Sequence, residues 1–270
     1  MREDIDLNQK LISSPSQTMK TLGNLLKFLW KIGRFFILHF FLMGLSIAFV
    51  KQNTIIAYIL SFITFFLLTI TFFVWYKKIA GKDTFTFENI SCKTWKLALL
   101  LCISDYMLIT VFYGYPVIPN YVITTEYIIL NLFAVTGGPF VEEILFRGLF
   151  QKHIFKKKPW TSIFISSILF SAWHYDKIPS IIPAFFTGLF CGVIYYKTDK
   201  LIICILFHSL VNILSVLSRY EFNYIPTLQF LTLILATYLA VYAIRRLMND
   251  DKTLNLEISS HNIKKNEKLN

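Results

Sequence analysis

Long apolar stretches alternate with short polar ones along almost the whole chain. A membrane-spanning helix needs about 20 mostly apolar residues, within a range of about 17–25. Eight runs approach that length: 28–50, 54–76, 94–114, 122–155, 160–175, 178–197, 201–217 and 226–247. The pattern therefore predicts an all-α protein, a polytopic membrane helix bundle of about eight transmembrane helices. The run 122–155 is too long for one straight span, and Gly137-Gly138-Pro139 inside it is expected to break or kink the helix, because proline has no N–H to donate. Pro116 and Pro119 close the third run. The predicted organisation is a polar segment over 1–27, three membrane helices and their loops over 28–121, a four-helix core over 122–217, a last membrane helix over 218–248 and a polar tail. The tail, 249–270, carries no apolar run and is expected to be disordered.

Composition agrees with the pattern. Hydrophobic residues make up 55% of the 270 and charged residues only 16%, against about 25% charged in a soluble domain. The net charge of +11 could suggest nucleic acid, but the placement of the cations argues otherwise. Lys and Arg crowd the segment before the first run, leave only Lys51 in the next loop, and return at Lys77, Lys78, Lys82, Lys93 and Lys96. They are missing from 115–124, dense at Lys152 and Lys156–Lys158, and single at Lys177. Lys197 and Lys200, a lone Arg219, and a basic tail from Arg245 complete the alternation. Cytoplasmic loops are the Lys/Arg-rich ones, so both termini are expected in the cytoplasm and no nucleic-acid partner is expected. Lys156-Lys157-Lys158 reads first as a topology determinant and second as a contact for anionic lipid. Cys92, Cys102, Cys191 and Cys204 show no C-x-x-C spacing and read as packing residues. The polar first 20 residues do not resemble a cleavable signal peptide.

Chemistry concentrates in Phe140–Phe150, where Glu142, Glu143 and Arg147 interrupt an apolar helix. Each ionised group near a membrane midplane costs about 2.5–3.5 kcal/mol, and such groups usually mark function. Glu143 and Arg147, four apart, share a helix face and can pair. Glu142 points about 100° away, free of that pair. His174 closes a later run, and His208 and Asn212 sit four apart on one face of another. Counted from the loop at Lys157, Glu142 and His174 come to nearly the same depth, somewhat over about 20 Å along their helices. A glutamate, two histidines and an asparagine on facing helices suit the activation of water. No H-E-x-x-H, G-x-S-x-G or G-x-G-D stretch offers another chemistry. The bland readings stand beside these: Glu143–Arg147 as a helix-pairing ion pair, His174 as an interfacial histidine, His208 and Asn212 as interhelical hydrogen-bond glue. His39, His153 and His261 receive no role. Gly188 and Gly192 form a G-x-x-x-G that permits close helix approach.

The order E-E-x-x-x-R at Glu142–Arg147, F-x-x-x-H at Phe170–His174 and H-x-x-x-N at His208–Asn212 resembles the CPBP family. This family comprises CAAX-type proteases and bacteriocin-processing enzymes, also called the Abi family of intramembrane proteases. The resemblance covers roughly 122–217 and implies peptide-bond hydrolysis in the membrane by a glutamate-activated water. Glu142 would be the general base, His174 and His208 would position the water or a metal, and Asn212 would stabilise the oxyanion. Glu143 and Arg147 would brace the site. Family members are often called metalloproteases; the residues themselves leave open a zinc on Glu142, His174 and His208 or a water alone. The implied partners are a membrane-associated, prenylated or bacteriocin-like peptide and the lipid bilayer, and the implied location is a bacterial cell membrane. A non-proteolytic immunity or scaffold protein on the same fold is the alternative, with a proton-coupled transporter third. The oligomeric state is left open.

Overall fold

A computed structural model describes residues 54–80, 82–113, 115–116, 125–154, 158–174, 180–217, 222–223 and 225–267, with isolated helical positions at 30, 33, 34, 37 and 41. The first predicted run, 28–50, and His39 thus lie mainly outside the described residues. Two compact units divide the chain, Met1–Leu68 and Thr69–Asn270. In the first, the described stretch from Thr54 is helical and exposes Ile56, Ile59, Leu60, Ile63, Phe66 and Leu67. The second unit carries the candidate chemistry.

Helix α1 (Thr54–Ala80) leads through a 3-10 turn (Lys82–Phe85) into α2 (Cys92–Tyr113). Next come α3 (Thr125–Val135) and α4 (Gly137–Glu143), and α4 runs directly into a π-helical segment, Ile144–Ile154. Then follow α5 (Pro159–Trp173), α6 (Ile181–Thr198), α7 (Leu201–Leu217) and α8 (Pro226–Glu267). The remaining regular structure is a two-residue antiparallel pair, with Tyr115 opposite Asn223 and Pro116 opposite Phe222. It fastens the end of α2 to the segment before α8.

Five of the predicted runs coincide with α1, α2, α5, α6 and α7 to within a few residues, and the run 226–247 starts with α8 but ends well before it. The run 122–155 breaks at Thr136, directly before Gly137-Gly138-Pro139. Pro139 then lies in the first turn of α4, where its missing N–H costs nothing. Among the described residues three helices are long and apolar enough to cross a membrane: Cys92–Phe112, Ile181–Thr198 and Pro226–Asn249, with Leu201–Val216 apolar but shorter. Helix α5 has 15 residues, under the usual spanning length, and it buries four serines, Ser162, Ser166, Ser167 and Ser171. The tail differs from its expected disorder, for α8 continues to Glu267. No Gly or Pro follows Pro226 in that stretch, and extending an existing helix avoids the nucleation cost.

Outward faces are strongly apolar. Leu99, Ile103, Leu132, Phe164, Ile168, Phe230, Leu231 and Ile234 are all exposed, the arrangement of a protein whose solvent is lipid. Inside, Leu101, Ile144, Leu149, Ile163, Phe170, Phe190, Ile194 and Leu201 are sealed. Cys102, Cys191 and Cys204 are buried free thiols, as their spacing predicted. Polar groups cross between helices: Ser104 Oγ donates to the Ala236 carbonyl at 2.7 Å and Gln229 Nε2 to the Val111 carbonyl at 3.0 Å, tying α2 to α8. A tight connection joins α6 to α7, with Asp199 in the left-handed region at φ 50° and ion-paired to Lys152 at 2.8 Å.

Candidate active site

The two adjacent glutamates close α4, and Arg147 follows one turn into the π-helical segment. Such segments recur at functional positions. Arg147 Nε lies 3.2 Å from Glu143 Oε2, both side chains wholly buried, so the pairing read from their spacing is present. The guanidinium is held further by its Nη2, which donates to the Gly188 carbonyl at 2.6 Å, and by the face of Phe170, 4.8 Å away. One turn on, Gln151 Nε2 donates to the Gly192 carbonyl at 2.8 Å. The glycines are what permit this two-rung contact. A Cβ at Gly188 would meet Ser167 Cα at 3.1 Å and Arg147 Nη2 at 3.3 Å, and one at Gly192 would meet Ile163 Cγ2 at 3.0 Å.

Across from Glu143, α7 contributes His208. Its Nδ1 stands 2.9 Å from Glu143 Oε1. A carboxylate already paired with an arginine accepts only, so Nδ1 is the donor and the other ring nitrogen of a neutral imidazole carries a lone pair. That nitrogen, Nε2, faces Glu142 Oε2 at 3.8 Å. Exposure separates the two glutamates: the Glu142 side chain is 21% exposed and that of Glu143 is 0%. One carboxylate is locked in the bundle, and its neighbour opens to the surroundings.

His174 caps the end of α5, its Nδ1 donating to the Phe170 carbonyl at 2.9 Å. The Phe170 ring neighbours both histidines, 4.9 Å from His174 and 5.4 Å, edge-on, from His208. Both histidines lie within electrostatic range of Glu142. Asn212, one turn beyond His208, donates through Nδ2 to the Ala134 carbonyl of α3 at 2.8 Å. Glu143 therefore joins Arg147 to His208, His208 in turn faces Glu142, the Phe170 ring neighbours both histidines, and one amide hydrogen of Asn212 holds α7 to α3.

Asp105 belongs to this neighbourhood and was not singled out from the sequence. It is fully buried in α2, accepts from Thr187 Oγ1 of α6 at 2.8 Å, and lies in electrostatic range of His208. Its Oδ1 has no hydrogen-bond partner among the described residues. The signal was present: a lone carboxylate inside the run 94–114 incurs the same insertion cost as Glu142. Gln151 and Thr187 were missed as well, because neither residue type titrates.

Residues 124–214 match the family model Rce1-like, described as type II CAAX prenyl endopeptidase Rce1-like. That family model describes proteins of the CPBP family, to which residues 124–214 are thus similar. The matched segment contains every residue of the three motifs, from Glu142 to Asn212. No curated protein and no solved structure matches the chain. Three apolar helices and the family-model match together indicate a membrane protein whose matched segment is similar to CAAX-type proteases. A metal is a separate matter. Among the described residues no three His, Cys, Asp or Glu side chains gather closely enough to hold an ion, whereas a catalytic zinc normally has three protein ligands. Glu142, His174 and His208 do not form such a set here, and the His208 Nδ1 is committed to Glu143.

Proposed function

We propose that the chain is an intramembrane endopeptidase that cleaves a membrane-associated peptide, prenylated or bacteriocin-like, by a glutamate-activated water. The observation that carries this reading is the unequal treatment of two neighbouring carboxylates. Glu143 is neutralised by Arg147 and donated to by His208, while Glu142 keeps an open side chain facing a histidine lone pair across 3.8 Å. Both groups across that gap accept hydrogen bonds, so a water between them donates one O–H to each. Glu142 takes the proton, and the hydroxide adds to the carbonyl carbon of the scissile bond. The proton on Glu142 then passes to the departing amine as the C–N bond breaks, leaving a carboxylic acid and an amine. The second Asn212 amide hydrogen would donate to the tetrahedral oxyanion, a contribution of the kind worth about 10²–10³ in rate, and His174 would help position the water. Glu143 and Arg147 hold the His208 ring in the required tautomer, and every step uses the chain's own residues.

In the same reading the chain crosses the bilayer about eight times with both termini in the cytoplasm, the arrangement that the alternating Lys/Arg-rich loops favour, and works in a bacterial cell membrane. One observation favours the alternative of a non-proteolytic immunity or scaffold protein: an Asn212 amide hydrogen is engaged in joining helices. The test compares cells carrying the wild-type chain with cells carrying Glu142→Gln at equal membrane abundance, by mass spectrometry of new peptide termini. Loss of a general base costs about 10²–10⁴ in rate, so termini made by the wild type should vanish. Identical termini in both strains would reject the protease reading and leave a binding protein.

A further inference from the structure

Arg147 Nη1, Gln151 Oε1, Tyr76 Oη and Tyr195 Oη are buried and have no hydrogen-bond partner among the described residues. Their side chains are almost wholly sealed. Buried polar groups are normally hydrogen-bonded, either to protein or to ordered water.

Two helical lines bring these atoms onto one seam. Arg147 and Gln151 stand one turn apart on the π-helical segment and donate to the carbonyls of Gly188 and Gly192 on α6. Along α6 the line continues from Gly192 to Tyr195 and on to Asp199 at the helix end, in steps of three and four. Lys152 closes that end: its Nζ pairs with Asp199 at 2.8 Å and lies 6.0 Å from the Tyr195 ring. Tyr76 enters from α1 over Gly148, its Oη 2.6 Å from where a Cβ would stand. The Tyr76 and Tyr195 hydroxyls face each other, and Tyr195 faces Asp199, yet neither hydroxyl meets hydrogen-bond distance and angle. The seam therefore leads from Asp199, whose side chain is 66% exposed, past the tyrosines and Gln151 to the sealed Glu143–Arg147 pair.

The chemistry of these atoms selects the occupant. A phenol hydroxyl donates and accepts, an amide oxygen accepts only, and a guanidinium donates only. A cation is refused by Arg147, and an anion by Gln151 Oε1 and Glu143. Water both donates and accepts, and a buried water typically makes about three hydrogen bonds to otherwise unsatisfied groups. One water donates to Gln151 Oε1 and to one tyrosine oxygen while accepting from the other hydroxyl. The next accepts from Arg147 Nη1.

We propose that the seam binds a short file of internal water, running from Asp199 to the Glu143–Arg147 pair. The file gives the buried ion pair a hydrated connection to the surface, through a bundle whose outer faces are apolar. It is a property of the seam and stands whether or not the chain is a peptidase.

The experiment is hydroxyl-radical labelling of the purified full-length chain in neutral detergent. A brief X-ray pulse follows mixing, for varied times, with water carrying the heavy oxygen isotope, and mass spectrometry reads the label. The radicals form from water and react where they form, so a sealed side chain is labelled by water bound beside it. Tyr76 and Tyr195 should take up oxygen, and the heavy isotope should reach them more slowly than it reaches the exposed Phe87. Phe190, equally buried on the opposite face of α6, should take up none. Gln151→Leu should lose the label of both tyrosines. Tyr195→Phe, which removes one water ligand and no helix contact, should cost Tyr76 most of its label. The proposal is overturned if both tyrosines stay unlabelled while Phe87 is labelled, if Phe190 is labelled as readily, or if Gln151→Leu keeps both labels. It is overturned as well if the heavy isotope reaches the tyrosines as fast as Phe87, the behaviour of a crevice open to bulk solvent. Should Gln151→Leu open the fold and label Phe190, Tyr195→Phe decides: loss of the Tyr76 label supports the file, and an unchanged label overturns it.

Discussion

At the scale of single residues, the bundle is organised by which buried charges have partners. Removing one partner of a buried ion pair strands the other, at a cost of about 3–5 kcal/mol, whereas removing both is far milder. Arg147→Leu should therefore deplete the protein from the membrane fraction, and Glu143→Gln/Arg147→Leu should restore much of it, as quantitative immunoblotting of membranes would show. The Asp105–Thr187 bond obeys the same rule on a smaller scale. Asp105→Asn keeps an acceptor for Thr187 and should unfold near the wild-type temperature. Asp105→Leu and Thr187→Val each break the bond, and their effects should fall short of additivity by about 0.5–3 kcal/mol. Strict additivity in a thermal double-mutant cycle would mean that the bond contributes nothing.

Among the elements, α6 is the one that the others are built against. Its Gly188 and Gly192 let α5 and the π-helical segment close on it from two sides, and their carbonyls receive Arg147 and Gln151. A Cβ at Gly188 would press on the Ser167 backbone as well as on the Arg147 head group. Overpacking of this kind costs about 1–3 kcal/mol. Gly188→Ala should thus lower the unfolding temperature in detergent, while Gly138→Ala, whose added Cβ meets its nearest atom at 3.6 Å, should leave it almost unchanged. Equal effects from both would show that the close approach of α6 is not what Gly188 supplies. Gly148 is a tighter case still, with the buried Tyr76 ring 2.6 Å from where a Cβ would stand. Gly148→Ala should reduce membrane abundance, and Tyr76→Leu, which removes the atoms in the way, should recover part of the loss.

On the scale of the whole molecule, the exposed apolar faces and the charge alternation make a joint prediction about orientation. In a background without the four native cysteines, a cysteine at Asp83 should react with a membrane-impermeant maleimide only after the cells are opened. A cysteine at Asn120 should react in intact cells. The reverse pattern would invert the proposed topology.

Much of this architecture was legible in the chain because it is local. Apolar run length places α1, α2, α5 to α7 and the start of α8, Gly-Gly-Pro places the break at Thr136, and a spacing of four places Arg147 on Glu143. The order of the three motifs pointed to the family whose model matches residues 124–214. What the spacing could not contain was the distance between helices. That His208 would take Glu143 rather than Glu142, that an Asn212 amide would reach the Ala134 carbonyl, and that Asp105 would lie within range of His208 all depend on packing. So does the failure of Glu142, His174 and His208 to converge as a metal set. Helix geometry repeats every 3.6 residues wherever it occurs, so contacts within a helix follow from sequence alone. Contacts between helices depend on which small residues let two backbones approach, and here Gly188 and Gly192 decided that only once α5, α6 and the π-helical segment had come together.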